Sequence, residues 1–488
     1  MTQHHGYDAD EIYGWVQDQA RMGARRPGTA GGLANEAYLE SKLREFGLDQ
    51  VRAEPIPIVH WAADDYALEV GSDHTKDPVE AFPIPYVIHA PQGLEAPLVW
   101  ANPKALRHAE DWTGKVVVTD IGFPDLDLNL LLRIGLGRYD PDDTAGLVDH
   151  PATWVRQGWH LYHLAARRGA VGFIGILRDQ PGGACRMYGP YGFKERDILD
   201  KPLPGFWVSK RDGPRLESLA RSGAGRARLH LAGLREPGLT HNIVGEVAGD
   251  SSTDEVMVLS CHHDSPFESP VEDGSGVAVV LALARHFAAH RPLRRRLIVA
   301  LTAGHFYGSV GTRTFIRDHP EVVRRAAAAI SIEHVAHEAT EGPDGALAPT
   351  GRPEATGIFV PLNRAVADTV LDAVRRHDVR RTVLLPAEGP LGPYPPTDGG
   401  DWWEAGVPVV DHISNPVYLL TDDDALHWVD KPRLPKVAAA FTDILTHLDT
   451  LDRKTIAKVD SRPYHLLMKV LRHVAYHKTT HFGLHPVY

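Results

Sequence analysis

Between residues 239 and 450, short unbroken apolar runs alternate with longer stretches of helical periodicity, and this alternation restricts the fold more than any other feature. The runs are "EVMVLSCHHD", "RRRLIVALTAG", "AAAAISIEHVAHE" and "GVPVVDHIS". Between them lie "GSGVAVVLALARHFAAH", "VGTRTFIRDHPEVVRRA" and "VADTVLDAVRRH", and "LPKVAAAFTDILTHLDTL" closes the series. A strand that is apolar on both sides needs cover on both faces, and a parallel neighbour is reached only through a crossover, which the helical stretches provide. The expectation is an α/β fold, a mostly parallel sheet flanked by helices on both faces.

The rest of the chain divides by composition. "DADEIYGWVQDQARMGAR" and "LANEAYLESKLREFGL" read as two helices joined by "RRPGTAGG", the second stopped by Gly47. Short strands follow in "VRAEPIPIVHW", "YALEV" and "PLVW". Strand and helix patterns in "GKVVVTDIG", "HLYHLAARRGAVGFIGIL" and "LPGFWVSKRDGPRLESLARSG" indicate a second, smaller β/α unit. A chain of 488 residues is too long for one core, and the expected division is 1–100, 101–238, 239–450 and 451–488. The first part packs on the main domain, the second is an insertion, the third is the α/β domain, and the last is a helical extension.

Charge and composition exclude several partners. A net charge of -11 with no basic block beyond "RPLRRRLIV" argues against nucleic acid. No apolar stretch reaches the roughly 18–20 residues of a membrane span. Only Cys185 and Cys261 occur, and "MTQHHGYDADEIYGW" lacks the basic-then-apolar order of a secretory signal. The expectation is a cytoplasmic protein acting on a small molecule, with homo-oligomerisation left open.

In open α/β sheets, ligands bind beyond the carboxyl ends of the strands. Here those ends carry His262, His263 and Asp264, then His305, then Glu333 and His334, and finally His412 or the Asp422 to Asp424 turn. Imidazole and carboxylate together suit a borderline divalent ion such as zinc. Strand alternation turns His263 away from His262 and His334 away from the face of Glu333. His337 and Glu338 read as surface residues of a loop. In "RPYHLLMKVLRHVAYHKTTH", His465, His473 and His477 space along a helix, read as a docking surface because no glutamate base accompanies the His473 and His477 pair.

In this order the segments resemble the co-catalytic zinc aminopeptidases, whose relatives include glutaminyl cyclases, glutamate carboxypeptidase and the transferrin receptor. "HNIVGEVAG…VMVLSCHHDS" is similar to the strand bearing the family's H-x-D motif, and "VEDGSGVAVVLALAR" to the D-D-x-S-G that follows. "TDGGDWWEAGVPVVDHISNPVYLLTDDD" resembles the S-D-x-x-x-F-x-x-x-G-V-P segment. The 101–238 unit resembles the protease-associated domain that many members carry as an insertion.

The resemblance implies a first metal held by His262, by Glu272 at the bridging position and by Glu333, with Asp264 orienting His262. Both glutamates stand where the family has aspartate. Its Glu-Glu pair, base and second-metal ligand, aligns with His305 and Phe306, and its late histidine with Leu420. A phenyl ring and an isobutyl group cannot ligate an ion, so the expected site is mononuclear, with zinc first and iron(II) or manganese(II) as alternatives. His305 is then either a base or an added ligand. Phe306, Leu420, Trp402 and Trp403 are candidate walls of the substrate pocket, the tryptophans equally candidates for core.

The activity implied is that of an aminopeptidase-like hydrolase, or a related amide-bond enzyme, acting on a small peptide-like or amino-acid-derived substrate. Two alternatives stay open at this point. One is a non-catalytic binding member of the fold. The other is an ordinary two-zinc aminopeptidase in which Asp422, Asp423 or His427 restores the second ion.

Overall fold

The computed structural model describes residues 5–105, 110–123, 128–147, 158–189, 198–290, 293–388 and 394–461, with 463, 466, 467 and 470. His465, His473 and His477, singled out above, lie outside the described residues. Among the described residues no helix is long and apolar enough to cross a membrane.

The two N-terminal helices, Ala9–Ala20 and Ala30–Glu45, start where small polar side chains satisfy open backbone donors. Asp8 accepts from Asp10 N and Thr29 from Gly32 N. The second helix ends at Gly47, whose φ of 77° an L side chain rarely adopts.

The strands, in chain order, begin with β1 (Asp49–Gly71), β2 (Lys76–Val79), β3 (Ala81–Pro83), β4 (Ala90–Trp100), β5 (Val116–Ile121) and β6 (Gly137–Tyr139). Next come β7 (Gly172–Leu177), β8 (Gly205–Ser209), β9 (Arg226–Val247), β10 (Val256–His262), β11 (Arg296–Thr302) and β12 (Ala326–Ile332). Last are β13 (His337–Glu341), β14 (Leu347–Pro353), β15 (Thr356–Val360), β16 (Thr382–Pro386) and β17 (Val409–Ser414). The main sheet runs β9-β11-β10-β12-β17-β15-β16-β6. Its centre is parallel: β10 pairs with both β11 and β12, and β12 with β17. β9, β15 and β6 join antiparallel. Every residue of β10 and β12 is buried, as the apolar runs require, and the buried helix Gly276–His290 packs among them.

The smaller unit differs in extent from the sequence reading. The separate short strands expected after residue 51 are one 23-residue strand, β1, which pairs along its length with the 22-residue β9. Pro55 and Pro57 are tolerated because this part of β1 has β9 on one side only. The ribbon runs out of the main sheet into a second core, which starts at Ile56 and ends at Leu231 within its own strands. That core is built on parallel β5, β7 and β8, with the helices His160–Arg167 and Gly213–Ser222 beside them. The unit therefore begins some way before residue 101, because the ribbon and not a loop connects the two parts. Phe267, Phe306, Tyr307 and Leu420 of the main domain sit in this same second core.

Candidate metal centre

The carboxyl ends of β10 and β12 lie side by side, and each releases its chain into an irregular segment. Beyond β10 the chain turns through Asp264 and Ser269 (φ 32°) into 270–275, then enters the Gly276–His290 helix. Beyond β12, His334 takes φ 54°, so strand alternation stops at Ile332. For that reason Glu333 and His334 point into the same site, contrary to the expectation that His334 would face away.

His262 Nε2 stands 3.2 Å from Glu272 Oε1, and His334 Nε2 stands 2.6 Å from Glu272 Oε2. Both nitrogens, with Glu333 Oε1, are buried polar atoms without a hydrogen bond. One donor atom from each of His262, Asp273, Glu333 and His334 lies within 4.8 Å of all the others. Asp273 is already engaged: it accepts from His334 N and Gly276 N at 3.2 and 3.3 Å and from Cys261 Sγ at 2.8 Å. Glu272, touching both rings, is the better placed carboxylate. Buried polar atoms are normally paired, and converging unpaired donors are what a bound cation leaves in a structure without one.

The electrostatics point the same way. Burial holds Glu333 well above the usual carboxylate range, with the charges of Asp273 and Asp411 adding to it. Burial likewise pushes Asp273 up to about 6, and Glu272 adds to it. The His334 ring is driven up to about 10, since Glu272 outweighs the effect of burial. The pocket demands positive charge, and a divalent ion can supply it in place of protons. His262, Glu272, Glu333 and His334 offer the mixed nitrogen and oxygen set that zinc takes, so the residues fit a metal.

His262 is held in turn by the backbone of Asp264, whose carbonyl lies 3.1 Å from Nδ1. The Asp264 carboxylate, 3.6 Å from the same nitrogen, accepts the N–H groups of His305 and Phe306 at 3.0 and 3.4 Å. It therefore positions both the ligand ring and the loop after β11. His263 points away as expected, with Nε2 on His241 O at 2.9 Å.

His305 stacks on His262, ring centres 4.2 Å apart and planes 12° from parallel. Its Nδ1 meets Asp398 Oδ1 at 2.9 Å, and the other Asp398 oxygen accepts the hydroxyls of Thr302 and Thr312. Those bonds hold Asp398 below the usual carboxylate range although it is fully buried. Asp398 opens the short helix Asp398–Glu404, capped by Thr397.

Phe306 and Leu420 flank the centre as apolar groups. The Phe306 ring stands edge-on to His262 at 5.9 Å and to Tyr188 at 5.9 Å. Leu420 is buried in the same core and its carbonyl accepts from Tyr188 N at 2.9 Å. Trp402 is not brought to this pocket. It lies fully buried against Phe315 and the strands of a third core, with Trp403 partly buried on its edge.

Nor do the acidic turn residues enter the site. Asp422 pairs with Arg186 at 2.7 Å, and His427 is exposed against Trp428. Asp424 is buried beneath the ligand loop, where it accepts Val271 N and Glu272 N at 3.1 and 2.9 Å. Arg25 completes the support, donating to the carbonyls of Glu268 and Ser269 at 2.6 and 3.0 Å. Nothing in the local sequence marks Arg25, a basic residue in a glycine-rich loop. Asp398 did carry a signal, in the "TDGGD" segment, without its partner being evident.

Known proteins share this fold. Residues 242–438 match the family model described as Peptidase family M28. Carboxypeptidase Q of Xenopus laevis is 22% identical over 440 residues, 88% of this chain and 83% of that protein. Among solved structures, the peptidase M28 precursor of Shewanella amazonensis superposes with a TM-score of 0.68 at 20% identity, covering 91% of this chain and 94% of that one. BSAP, a zinc aminopeptidase from Bacillus subtilis, gives a TM-score of 0.65 at 16% identity, covering 93% and 99%.

Proposed function

We propose that this chain, whose residues 242–438 match the family model described as Peptidase family M28, hydrolyses an amide bond in a small peptide-like substrate with one divalent metal ion, zinc by preference. The observation that carries the reading is the convergence of His262, Asp273, Glu333 and His334, with Glu272 against both rings and two imidazole nitrogens without a hydrogen bond, beside the core that holds Phe306 and Leu420. The smaller unit is read as the protease-associated insertion.

His262, Glu272 and Glu333 would hold the ion, with His334 as a further donor. When bound, such an ion lowers the pKa of water to about 7 and polarises a carbonyl. His305 serves as the base. Donating Nδ1–H to Asp398 leaves Nε2 as the basic nitrogen, and the stack on His262 keeps that ring beside the ligand set. Asp398 is a positioning residue that selects the tautomer. Phe306 and Leu420 exclude water from the neighbouring volume and present an apolar wall to the substrate.

Metal analysis on protein without a histidine tag, combined with peptidase assays on dipeptides and aminoacyl anilides, tests the reading. The parent should hold one more ion than His262→Ala, and hydrolysis should vanish with that ion. A difference of two ions would restore a two-metal enzyme, and a difference of none would leave a binding protein.

A further inference from the structure

We propose that His5, His377 and Asp443 form a second metal site, remote from the centre described above, which takes a borderline divalent ion such as zinc. One donor atom from each lies within 4.8 Å of the other two. His5 Nε2 meets Asp443 Oδ1 at 2.9 Å, and His377 Nε2 meets Oδ2 of the same carboxylate at 2.8 Å. The three come from separate parts of the chain: the N-terminal segment, the end of the Arg364–Arg376 helix, and the Leu434–Thr450 helix. Donors of a tetrahedral zinc site sit about 2.0–2.2 Å from the ion. Small shifts of two imidazoles already facing one carboxylate would therefore meet it.

The surroundings suit a cation-binding role. Asp443 presents each of its two carboxylate oxygens to a different imidazole. Arg376 also contacts Oδ2, but its side chain is 56% exposed and can turn to water as an ion enters. Two more imidazoles adjoin: His286 stands 5.5 Å from His5, edge to face, and His290 stacks on His286 at 4.4 Å. His5 and Asp443 are partly exposed while His377 is buried, an arrangement that leaves water access for a fourth ligand, the form of an exchangeable site.

The consequence is mechanical. Tyr7, two residues beyond His5, bonds Thr442 at 2.6 Å, and the Ala9–Ala20 helix follows. Gln19 of that helix donates to Gly274 O at 3.1 Å, inside the loop that carries Glu272. An ion at His5 pins the segment that braces this loop.

This inference does not depend on the proposed activity, and its test is separate. Full-length protein without a tag is stripped with a chelator, dialysed against zinc at neutral pH, and its metal counted. His5→Gln and His377→Gln should each hold one ion fewer than the parent. His262→Ala should keep that ion and still gain about 2 °C or more of thermal stability on adding zinc, a gain absent from His262→Ala/His5→Gln. His5 lies outside any helix, so His5→Gln decides the matter even if His377→Gln does not fold. If both variants hold as many ions as the parent, the cluster is a hydrogen-bonded staple and the proposal fails.

Discussion

At the scale of single residues, the proposed base is His305, stacked on His262 and bonded to Asp398. The tautomer decides which imidazole nitrogen can accept a proton, and the 2.9 Å contact to Asp398, itself anchored by two threonines, turns Nδ1–H toward that carboxylate. His305→Ala should lower kcat about 10²- to 10⁴-fold with little change in KM, measured by steady-state kinetics. Asp398→Asn should cost about 10- to 100-fold and displace the acid limb of the pH profile, which a purely structural defect would leave in place. At this scale a cluster of histidines and carboxylates at strand ends was readable in the sequence, and the family resemblance named His262, Glu272 and Glu333 within it as candidate ligands. Trp402 was not, because a strand or helix pattern does not say which side of a sheet a large ring will fill.

At the scale of elements, two short segments do most of the positioning. The 270–275 loop is held by Asp424, which accepts the N–H groups of Val271 and Glu272, and by Arg25, which donates to the carbonyls of Glu268 and Ser269 just before it. Asp424→Ala leaves two buried donors open and should cost about 1–3 kcal/mol in urea unfolding, with weaker retention of the central ion. The β13–β14 hairpin is tied to the start of β16 by Glu338, which was expected at the surface but is buried. Its carboxylate accepts from Thr350, Arg352 and Arg381 at 2.6–2.9 Å.

Burial raises the Glu338 pKa, but these bonds outweigh it and hold the group below its ordinary value. A carboxylate lowered on folding binds fewer protons in the native state, so its contribution is complete above about pH 4.5 and fades as pH falls further. Glu338→Gln should cost about 3 kcal/mol at pH 7 and flatten that acid decline, followed by unfolding at several pH values. The burial was not legible because the partner arginines are distant in sequence. His334 escaped for a related reason: alternation predicts facing only while the strand lasts, and β12 ends two residues earlier.

At the scale of the whole molecule, the two units share a core. Phe267, Phe306, Tyr307 and Leu420 come from the main domain yet pack among residues of the smaller one, and Tyr307 OH accepts Val59 N of the connecting ribbon at 3.1 Å. Separating the units would expose those rings, so they should unfold together. Tryptophan fluorescence, to which both units contribute, and far-ultraviolet circular dichroism should report one coincident denaturant transition. Two resolved midpoints would show that the shared core adds little coupling.

The sequence by itself determined the layered α/β architecture, because apolar runs without alternation can only be buried strands and the helical stretches between them can only be crossovers. It also determined which residues could ligate, since only some side chains carry a donor atom. Only the tertiary structure decided which of those donors meet. Facing at a strand end, the carboxylate that sets an imidazole's tautomer, and the extent of a unit linked through a 23-residue ribbon strand all depend on contacts between residues far apart in the chain. Local pattern carries no record of such contacts.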